Sequence, residues 1–177
     1  DIIVKGMSRA SFSFIGFYLA RAKRIIPALL AVCITLLTLG WFFLPSTDYK
    51  TLASHSVYSL FFLSNIEYWL SAGYFDAESH EKWLLHTWSL SVEWQFYMLL
   101  PLILWAPWKL RPGKRTLIAV LTLLALLSVG ASAYCSSIYP TASFYLLHTR
   151  AWELIAGGLI WCMPAAQLSQ RVRYGLT

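Results

Sequence analysis

Long apolar runs separated by short polar stretches dominate the chain. About 20 residues at a rise of 1.5 Å per residue cross the ~30 Å hydrocarbon layer of a bilayer, and four runs approach or exceed that length. They occupy residues 25–44, 84–105, 116–134 and 142–163. Residues 52–70 form a weaker run, because polar side chains interrupt it. The pattern predicts an all-α, polytopic bundle with four full transmembrane spans.

Charge along the chain predicts how these runs are arranged. Basic clusters at residues 21–24, 109–115 and 171–173 all belong on the cytoplasmic side by the positive-inside rule. An even number of crossings must therefore separate the first two clusters, and the runs at residues 25–44 and 84–105 supply it. We expect residues 52–70 to form a re-entrant or interfacial helix on the outer side.

The run at residues 84–105 contains a carboxylate at membrane depth. Glu93 lies near its middle, with His86 and Tyr97 at helical spacing on the same face. A charge there costs at least ~2.5–3.5 kcal/mol on insertion scales and needs a partner or a function. Such a polar stripe either joins helices or lines a site, and the spacing alone leaves both interpretations open.

Two further pairs of charged residues have helical spacing. Arg21 and Arg24 share a face at a membrane boundary, where guanidinium groups grip phosphates bidentately or simply anchor the helix. Arg150 and Glu153 share a face inside a span, either as a self-neutralising pair or facing the same cavity as Glu93.

The segment before the first span predicts a separate element. Residues 11–20 are rich in aromatic side chains, which is typical of a short interfacial helix. Pro27 is then expected in the first turn of the following span, where its missing N–H costs little.

Composition agrees with a membrane protein. Of the 177 residues, 58% are hydrophobic and 12% are charged, against ~25% charged in ordinary soluble domains. The net charge of +6 indicates basic cytoplasmic loops, and no basic-aromatic motif points to nucleic acid. Cys33, Cys135 and Cys162 lack paired spacing, so we predict buried thiols with neither disulfides nor a metal site.

Three stretches, in this order, resemble the acyltransferase 3 family of polytopic membrane O-acyltransferases. Residues 17–27, FYLARAKRIIP, are similar to its aromatic-Arg-Arg-x-x-Arg-Ile-x-Pro segment. Residues 85–101, LHTWSLSVEWQFYMLLP, are similar to its Thr-Trp-Ser-Leu-x-Val-Glu-x-Gln-Phe-Tyr signature. Residues 150–157, RAWELIAG, are similar to its Arg-x-Trp-Glu-Leu-x-x-Gly segment. The stretches bracket most of the chain.

The chain departs from the family pattern at two positions. Ala20 stands where the family often has the first arginine, although Arg21 and Arg24 keep the Arg-x-x-Arg spacing. Trp94 replaces a second acidic residue that often follows Glu93.

The resemblance implies that residues 1–177 are part of a single membrane domain in a bacterial inner membrane. The family's first helix, with the histidine expected as catalytic base, would precede Asp1, and later helices would follow Thr177. The fragment is therefore expected to be inactive alone. The implied reaction moves an acyl group, commonly acetyl, from cytoplasmic acyl-CoA to a hydroxyl of an O-antigen, exopolysaccharide or peptidoglycan sugar, with no bound cofactor.

The resemblance also implies roles for individual residues. Arg21 and Arg24 would bind the phosphates of acyl-CoA, and Glu93, with His86 nearby, would act in catalysis. The candidates for the cavity wall are Arg150, Glu153, Trp88, Tyr97 and Trp152.

A transporter is the alternative from another functional class. Intramembrane charges also line the pathways of permeases and flippases, and composition does not separate these from an enzyme. Donor chemistry does separate them, because a transporter has no reason to bind CoA.

Overall fold

The computed structural model describes residue 6 and residues 12–72 and 82–162, and every regular element within them is helical. The helices are α1 (Phe14–Phe43), α2 (Ser46–Leu60), α3 (Ser64–Ser71), α4 (Thr87–Leu110), α5 (Lys114–Ile138), α6 (Pro140–Tyr145) and α7 (Leu147–Cys162). The prediction of an all-α chain is confirmed for these residues.

Helix α1 is a single element of 30 residues. Its N-terminus is capped by Ser13, whose Oγ accepts the backbone N–H of Gly16 at 3.1 Å. The predicted division into an interfacial helix and a later span is therefore wrong, because one helix begins at Phe14, within the aromatic segment, and continues through Pro27. A proline within a helix removes one backbone hydrogen bond, and the long apolar run on its C-terminal side offsets that loss.

Two of the described helices are long and apolar enough to cross a membrane. They are α1, with 30 residues, and α5, with 25. Helix α4 has 24 residues, but its N-terminal half is rich in polar side chains, and α7 is described over only 16 residues. The spans at residues 84–105 and 142–163 therefore stay predictions.

The weak run at residues 52–70 contains two helices instead of one. Helix α2 ends at Leu60, α3 begins at Ser64, and Phe62 between them has a positive φ of 56°. Such a conformation is unusual for a bulky residue. Neither helix, with 15 and eight residues, reaches across ~30 Å of hydrocarbon.

The expected span at residues 142–163 is also divided. Leu146 is extended, with ψ 144°, between α6 and α7. Thr149 Oγ1 contacts the carbonyl oxygens of Ser143 at 2.9 Å and Leu146 at 2.8 Å, which satisfies acceptors freed by the break. Helix α4, in contrast, is continuous through Pro101 and Pro107 and ends at Leu110.

Two apolar clusters hold the helices together. Helices α4, α5 and α7 meet around the buried side chains of Phe96, Leu104, Leu117, Leu121, Ile155 and Cys162. Helices α1 and α2 and the connections before α3 and α4 meet around Leu29, Cys33, Leu52, Phe62 and Leu84, and Leu90 and Trp94 of α4 pack against them. Helix α4 contributes to both clusters, so it separates the two sides of the bundle.

A glycine allows α1 and α2 to pack closely in the second cluster. A Cβ atom at Gly40 would lie 2.9 Å from Leu52 Cδ2, closer than carbon atoms pack without displacement. The small residue therefore sets how near the N-terminal part of α2 comes to α1.

Candidate functional site

A cavity of about 460 Å³ lies between α1 and the N-terminal half of α4. Helix α1 lines it with Arg21, Arg24, Ile25, Ala28, Leu29 and Val32. The other wall is formed by His86, Thr87, Leu90, Glu93 and Tyr97. The structure thus places the polar stripe predicted on α4 opposite the arginine pair predicted on α1, although the two are far apart in sequence.

The cavity is polar at its ends and apolar along the α1 wall. Tyr18 Oη donates to the carbonyl of Met98 at 3.0 Å, so the N-terminal part of α1 lies beside the middle of α4. The two helices run in opposite directions, and Arg21 faces Tyr97 while Val32 lies toward His86. Eleven residues of α1 at 1.5 Å rise give the wall a length of about 16 Å.

Arg21 is held by aromatic ring faces. Its guanidinium carbon lies 4.9 Å from the ring centroid of Tyr97 and 5.4 Å from that of Phe17, within the range of cation–π attraction. No carboxylate within the described residues forms an ion pair with Arg21. Its positive charge and its N–H groups therefore remain available to an anion.

Glu93 is held by the same tyrosine. Tyr97 Oη donates to Glu93 Oε1 at 2.5 Å, which is the short distance typical of a hydroxyl bonded to a charged acceptor. Glu93 is half-buried, and within the described residues its second carboxylate oxygen has no hydrogen bond. A carboxylate that is held at one oxygen can use its free oxygen to accept a hydrogen bond from a neighbouring catalytic group and so orient it.

His86 and Glu93 line the same cavity without touching. His86 is exposed and lies in the turn just before α4, seven residues from Glu93. That separation corresponds to about 10 Å along a helix. The two proposed catalytic residues are therefore at different depths, Glu93 near the arginines and His86 at the far end.

A ladder of polar residues fixes the rotation of α4. Thr87 Oγ1 and Ser59 Oγ are 2.7 Å apart, and Ser91 Oγ and Ser64 Oγ are also 2.7 Å apart. The next rung is Gln95, which bonds Asn65. Thr87, Ser91 and Gln95 recur every fourth residue, the period of one helix face. The sequence analysis did not predict this ladder, because it considered only the face of α4 that carries His86, Glu93 and Tyr97.

Gln95 and Asn65 form the last rung and close both helix breaks. Gln95 Nε2 donates to Asn65 Oδ1 at 2.8 Å and to the carbonyl of Phe62 at 3.0 Å. Asn65 Nδ2 donates to the carbonyl of Tyr145 at 3.2 Å. The carbonyls freed at the ends of α2 and α6 are thereby satisfied by side chains that touch α4.

One buried hydroxyl lies beside this ladder. Tyr68 on α3 is fully buried, and this burial raises the pKa of its phenol well above the ordinary value. Tyr68 remains protonated throughout the physiological range.

Four of the predicted cavity-wall residues are elsewhere. Trp88, Arg150, Glu153 and Trp152 do not line the cavity, so the expectation that they share it with Glu93 is corrected. On a helix, Trp88 and Glu93 are about 140° apart, and Trp88 therefore faces α6 and α7. The spacing of Arg150 and Glu153 predicts their contact but not which face of α4 they meet.

These residues form a second charged group, on the opposite side of α4. Arg150 Nε and Nη2 donate to Glu153 Oε1 at 3.1 and 3.0 Å. The Arg150 guanidinium carbon lies 4.9 Å from the Trp88 ring centroid and 5.2 Å from that of Phe144. Trp152 is not part of this group, and its backbone N–H donates to Ser128 Oγ on α5 at 3.0 Å.

Comparisons with curated proteins identify relatives that are longer than this chain. It is 35% identical over 164 residues to an uncharacterised protein of Haemophilus influenzae, covering 90% of this chain and 67% of that one. It is 34% identical over 164 residues to BcsY of Komagataeibacter xylinus, named as a candidate membrane-bound transacylase, covering 89% and 40%. No solved structure matches significantly.

A peptidoglycan O-acetyltransferase is also related. The chain is 30% identical over 159 residues to OatA of Listeria monocytogenes, covering 86% of this chain and 25% of OatA. The chain thus spans from about two thirds to a quarter of these relatives. The family model described as an acyltransferase domain matches residues 6–176. This chain is a membrane protein that belongs to the acyltransferase 3 family.

Proposed function

We propose that the chain forms part of a membrane-bound O-acyltransferase that moves an acyl group, acetyl by default, from acyl-CoA to a hydroxyl of a cell-envelope glycan. The cavity between α1 and α4 carries this proposal, because it combines two arginines, a tyrosine-held carboxylate and an apolar wall. The relatives named as a peptidoglycan O-acetyltransferase and a transacylase support the same reaction class.

The arginine end of the cavity suits the donor. Phosphate groups take charge-assisted hydrogen bonds from guanidinium forks, and Arg21 and Arg24 present two such groups at one opening. Beyond them the wall is formed by Ile25, Ala28 and Leu29, which suits the uncharged arm and acyl group of acyl-CoA. In this arrangement the thioester points toward Glu93 and then His86.

The reaction places defined demands on the polar groups. A base must take the proton of the acceptor hydroxyl while its oxygen attacks the thioester carbon, and the CoA thiol must leave with a proton. Glu93, fixed at one oxygen by Tyr97, orients the base, which is the histidine implied by the family resemblance and not His86. His86, exposed at the far opening, stands where the hydroxyl approaches.

Charge also assigns a direction across the membrane. Lys109 and Arg111 at the end of α4, and Lys114 at the start of α5, lie on the Arg21 side of the cavity. The positive-inside rule makes that side cytoplasmic, where acyl-CoA is available. The His86 side then faces the outside of a bacterial inner membrane, with the envelope glycan.

Radiolabel transfer tests the proposal. The full-length protein in membranes is given labelled acetyl-CoA, and label is measured in envelope polysaccharide for the unaltered protein, Glu93→Gln and Arg24→Ala. Lys23→Ala is the matched control, because Lys23 is exposed on α1 beside Arg24 but does not line the cavity. We expect Glu93→Gln to lower the rate about a hundredfold, Arg24→Ala to lower it at limiting donor, and the control to match the unaltered protein.

Two outcomes contradict the proposal in different ways. Label that survives both substitutions in folded protein keeps the enzyme but assigns Glu93 and Arg24 to structure. No label from any of a panel of acyl-CoA donors rejects the acyltransferase and favours the transporter, whose pathway the same intramembrane charges would line.

A further inference from the structure

The second charged group, on the α6–α7 side of α4, has an unusual balance of charge. Arg150 and Glu153 neutralise one another at 3.0 Å, so the group offers no net attraction to a phosphate or carboxylate. Arg21 differs, since no described carboxylate forms an ion pair with it. A ligand of the second group is therefore expected to be uncharged and polar.

The pair has hydrogen-bonding capacity left over. A guanidinium carries five N–H donors, and Arg150 directs three of them, two to Glu153 Oε1 and one to the carbonyl of Phe144 at 3.3 Å. The remaining two donors and Glu153 Oε2 have no partner within the described residues. Donors and an acceptor side by side match hydroxyl groups, each of which both accepts and donates.

Aromatic rings frame this pair, and that of Phe144 is open to a ligand. The rings of Trp88 and Phe144 are 4.8 Å apart, and Phe144 is 50% exposed. The side chains of Arg150 and Glu153 are 27% and 43% exposed. Apolar ring faces beside a few convergent polar groups are typical of small-molecule sites, and the C–H face of a sugar ring fits such a surface.

The location links this group to the cavity. Trp88 follows Thr87, a cavity-lining residue, directly in the chain, so their Cα atoms are 3.8 Å apart. Both lie at the His86 end, away from Arg21. A sugar held on Trp88 and Arg150 would be next to the opening through which the acyl group leaves the cavity.

We propose that Trp88, Phe144, Arg150 and Glu153 form the subsite that binds a neutral sugar of the glycan acceptor. The inference rests on the proposed acyltransferase function and adds the residues that recognise the acceptor. The sugar ring packs on the aromatic faces, one hydroxyl donates to Glu153 Oε2, and the free N–H groups of Arg150 donate to sugar oxygens.

Steady-state kinetics of the full-length protein in membranes tests this subsite. The acceptor is polysaccharide purified from the envelope of the producing bacterium, and the KM values for this glycan and for acetyl-CoA are measured separately. Glu153→Gln is expected to raise the KM for the glycan about tenfold or more, and to leave the KM for acetyl-CoA within twofold of the unaltered protein. Arg150→Lys, which keeps the charge but loses the planar fork, is expected to act in the same direction.

Matched tryptophan variants separate binding from general packing. Trp88→Leu removes the stacking ring, whereas Trp83→Leu removes a tryptophan that is 59% exposed near the start of α4 and outside the group. We expect only Trp88→Leu to raise the KM for the glycan.

The outcomes distinguish this inference from the function on which it rests. Transfer by the unaltered protein with a glycan KM unchanged in Glu153→Gln, Arg150→Lys and Trp88→Leu overturns the subsite and leaves the enzyme. Equal increases in the KM for both substrates also overturn it, because they indicate loss of structure. Absence of transfer by the unaltered protein rejects the proposed function and the subsite together.

Discussion

Arg21 and Arg150 lie on opposite sides of α4, and both rest on aromatic rings, but their carboxylate partners are arranged differently. Arg150 donates directly to Glu153. Arg21 lies over the ring of Tyr97, and it is the tyrosine hydroxyl that bonds Glu93. In the first case the charges cancel. In the second the tyrosine stands between them, so no described carboxylate pairs directly with the positive charge of Arg21.

The difference shows how one helix can present two kinds of polar surface. A guanidinium over a ring keeps its N–H edge free for an anion, which suits the phosphates of a donor. A guanidinium already paired with a carboxylate offers alternating donors and acceptors, which suits sugar hydroxyls. Because the two surfaces lie on opposite sides of α4, we expect substitutions to separate donor effects from acceptor effects.

Among the single substitutions that compare the two sides of α4, the largest expected change in a KM comes from removing the unpaired arginine. Arg21→Ala takes away a charged donor to phosphate, and we expect the KM for acetyl-CoA to rise about tenfold to a hundredfold. The KM for the glycan should stay unchanged, and initial rates with each substrate varied will show both. A parallel rise in the glycan KM would mean that the two sides of α4 are not independent.

Tyr97→Phe keeps the aromatic ring beside Arg21 and removes the hydroxyl that bonds Glu93. Glu93 then loses its described hydrogen-bond donor, and we expect the turnover number to fall about tenfold. The KM for acetyl-CoA should change less than in Tyr97→Leu, because phenylalanine still carries a ring face for Arg21. Equal donor KM values in the two variants would show that the ring does not hold the arginine.

Gln95→Leu tests the scaffold that both surfaces share. The change leaves the buried Asn65 and the Phe62 carbonyl without this partner, and we expect it to lower the free energy of unfolding by about 1–3 kcal/mol. Thermal unfolding of the detergent-solubilised protein measures the loss, with the exposed Leu99 on α4 changed to alanine as a control. A loss no larger than the control's would mean that the amide pair does not fix α4.

Tyr18→Phe gives the smallest expected effect. It removes the hydrogen bond from Tyr18 to the Met98 carbonyl, which joins α1 to α4 near Arg21. A single bond of this kind is worth about 0.5–1.5 kcal/mol, so the KM for acetyl-CoA should rise only a few-fold and the KM for the glycan not at all. A change in the glycan KM alone would contradict the assignment of the two sides.

Sequence patterns were most informative where one helix face was involved. The spacing of His86, Glu93 and Tyr97 placed them on a common surface, and the structure adds the cavity in front of it. The same rule paired Arg150 with Glu153. Periodicity reports which residues of one helix are neighbours, but not which other helix they meet, and for that reason the location of this pair was predicted wrongly.

Local sequence patterns also did not predict the helix breaks. The interruptions at Phe62 and Leu146 have no glycine or proline signal, and they persist because Asn65 and Gln95 satisfy carbonyls close to them. Those contacts join residues about 30 to 80 positions apart. A tertiary hydrogen bond thus decides where a helix ends, whereas the apolar run alone favours a continuous helix.

Equilibrium binding of CoA to the full-length protein tests whether the cavity between α1 and α4 holds the acyl donor. Affinity would be compared for the unaltered protein, the double variant Arg21→Ala/Arg24→Ala, and the Lys23→Ala control. We predict binding that the double variant weakens about a hundredfold or more and that the control leaves unchanged. Equal affinity in all three proteins, or no binding of CoA by the unaltered protein, would contradict the claim.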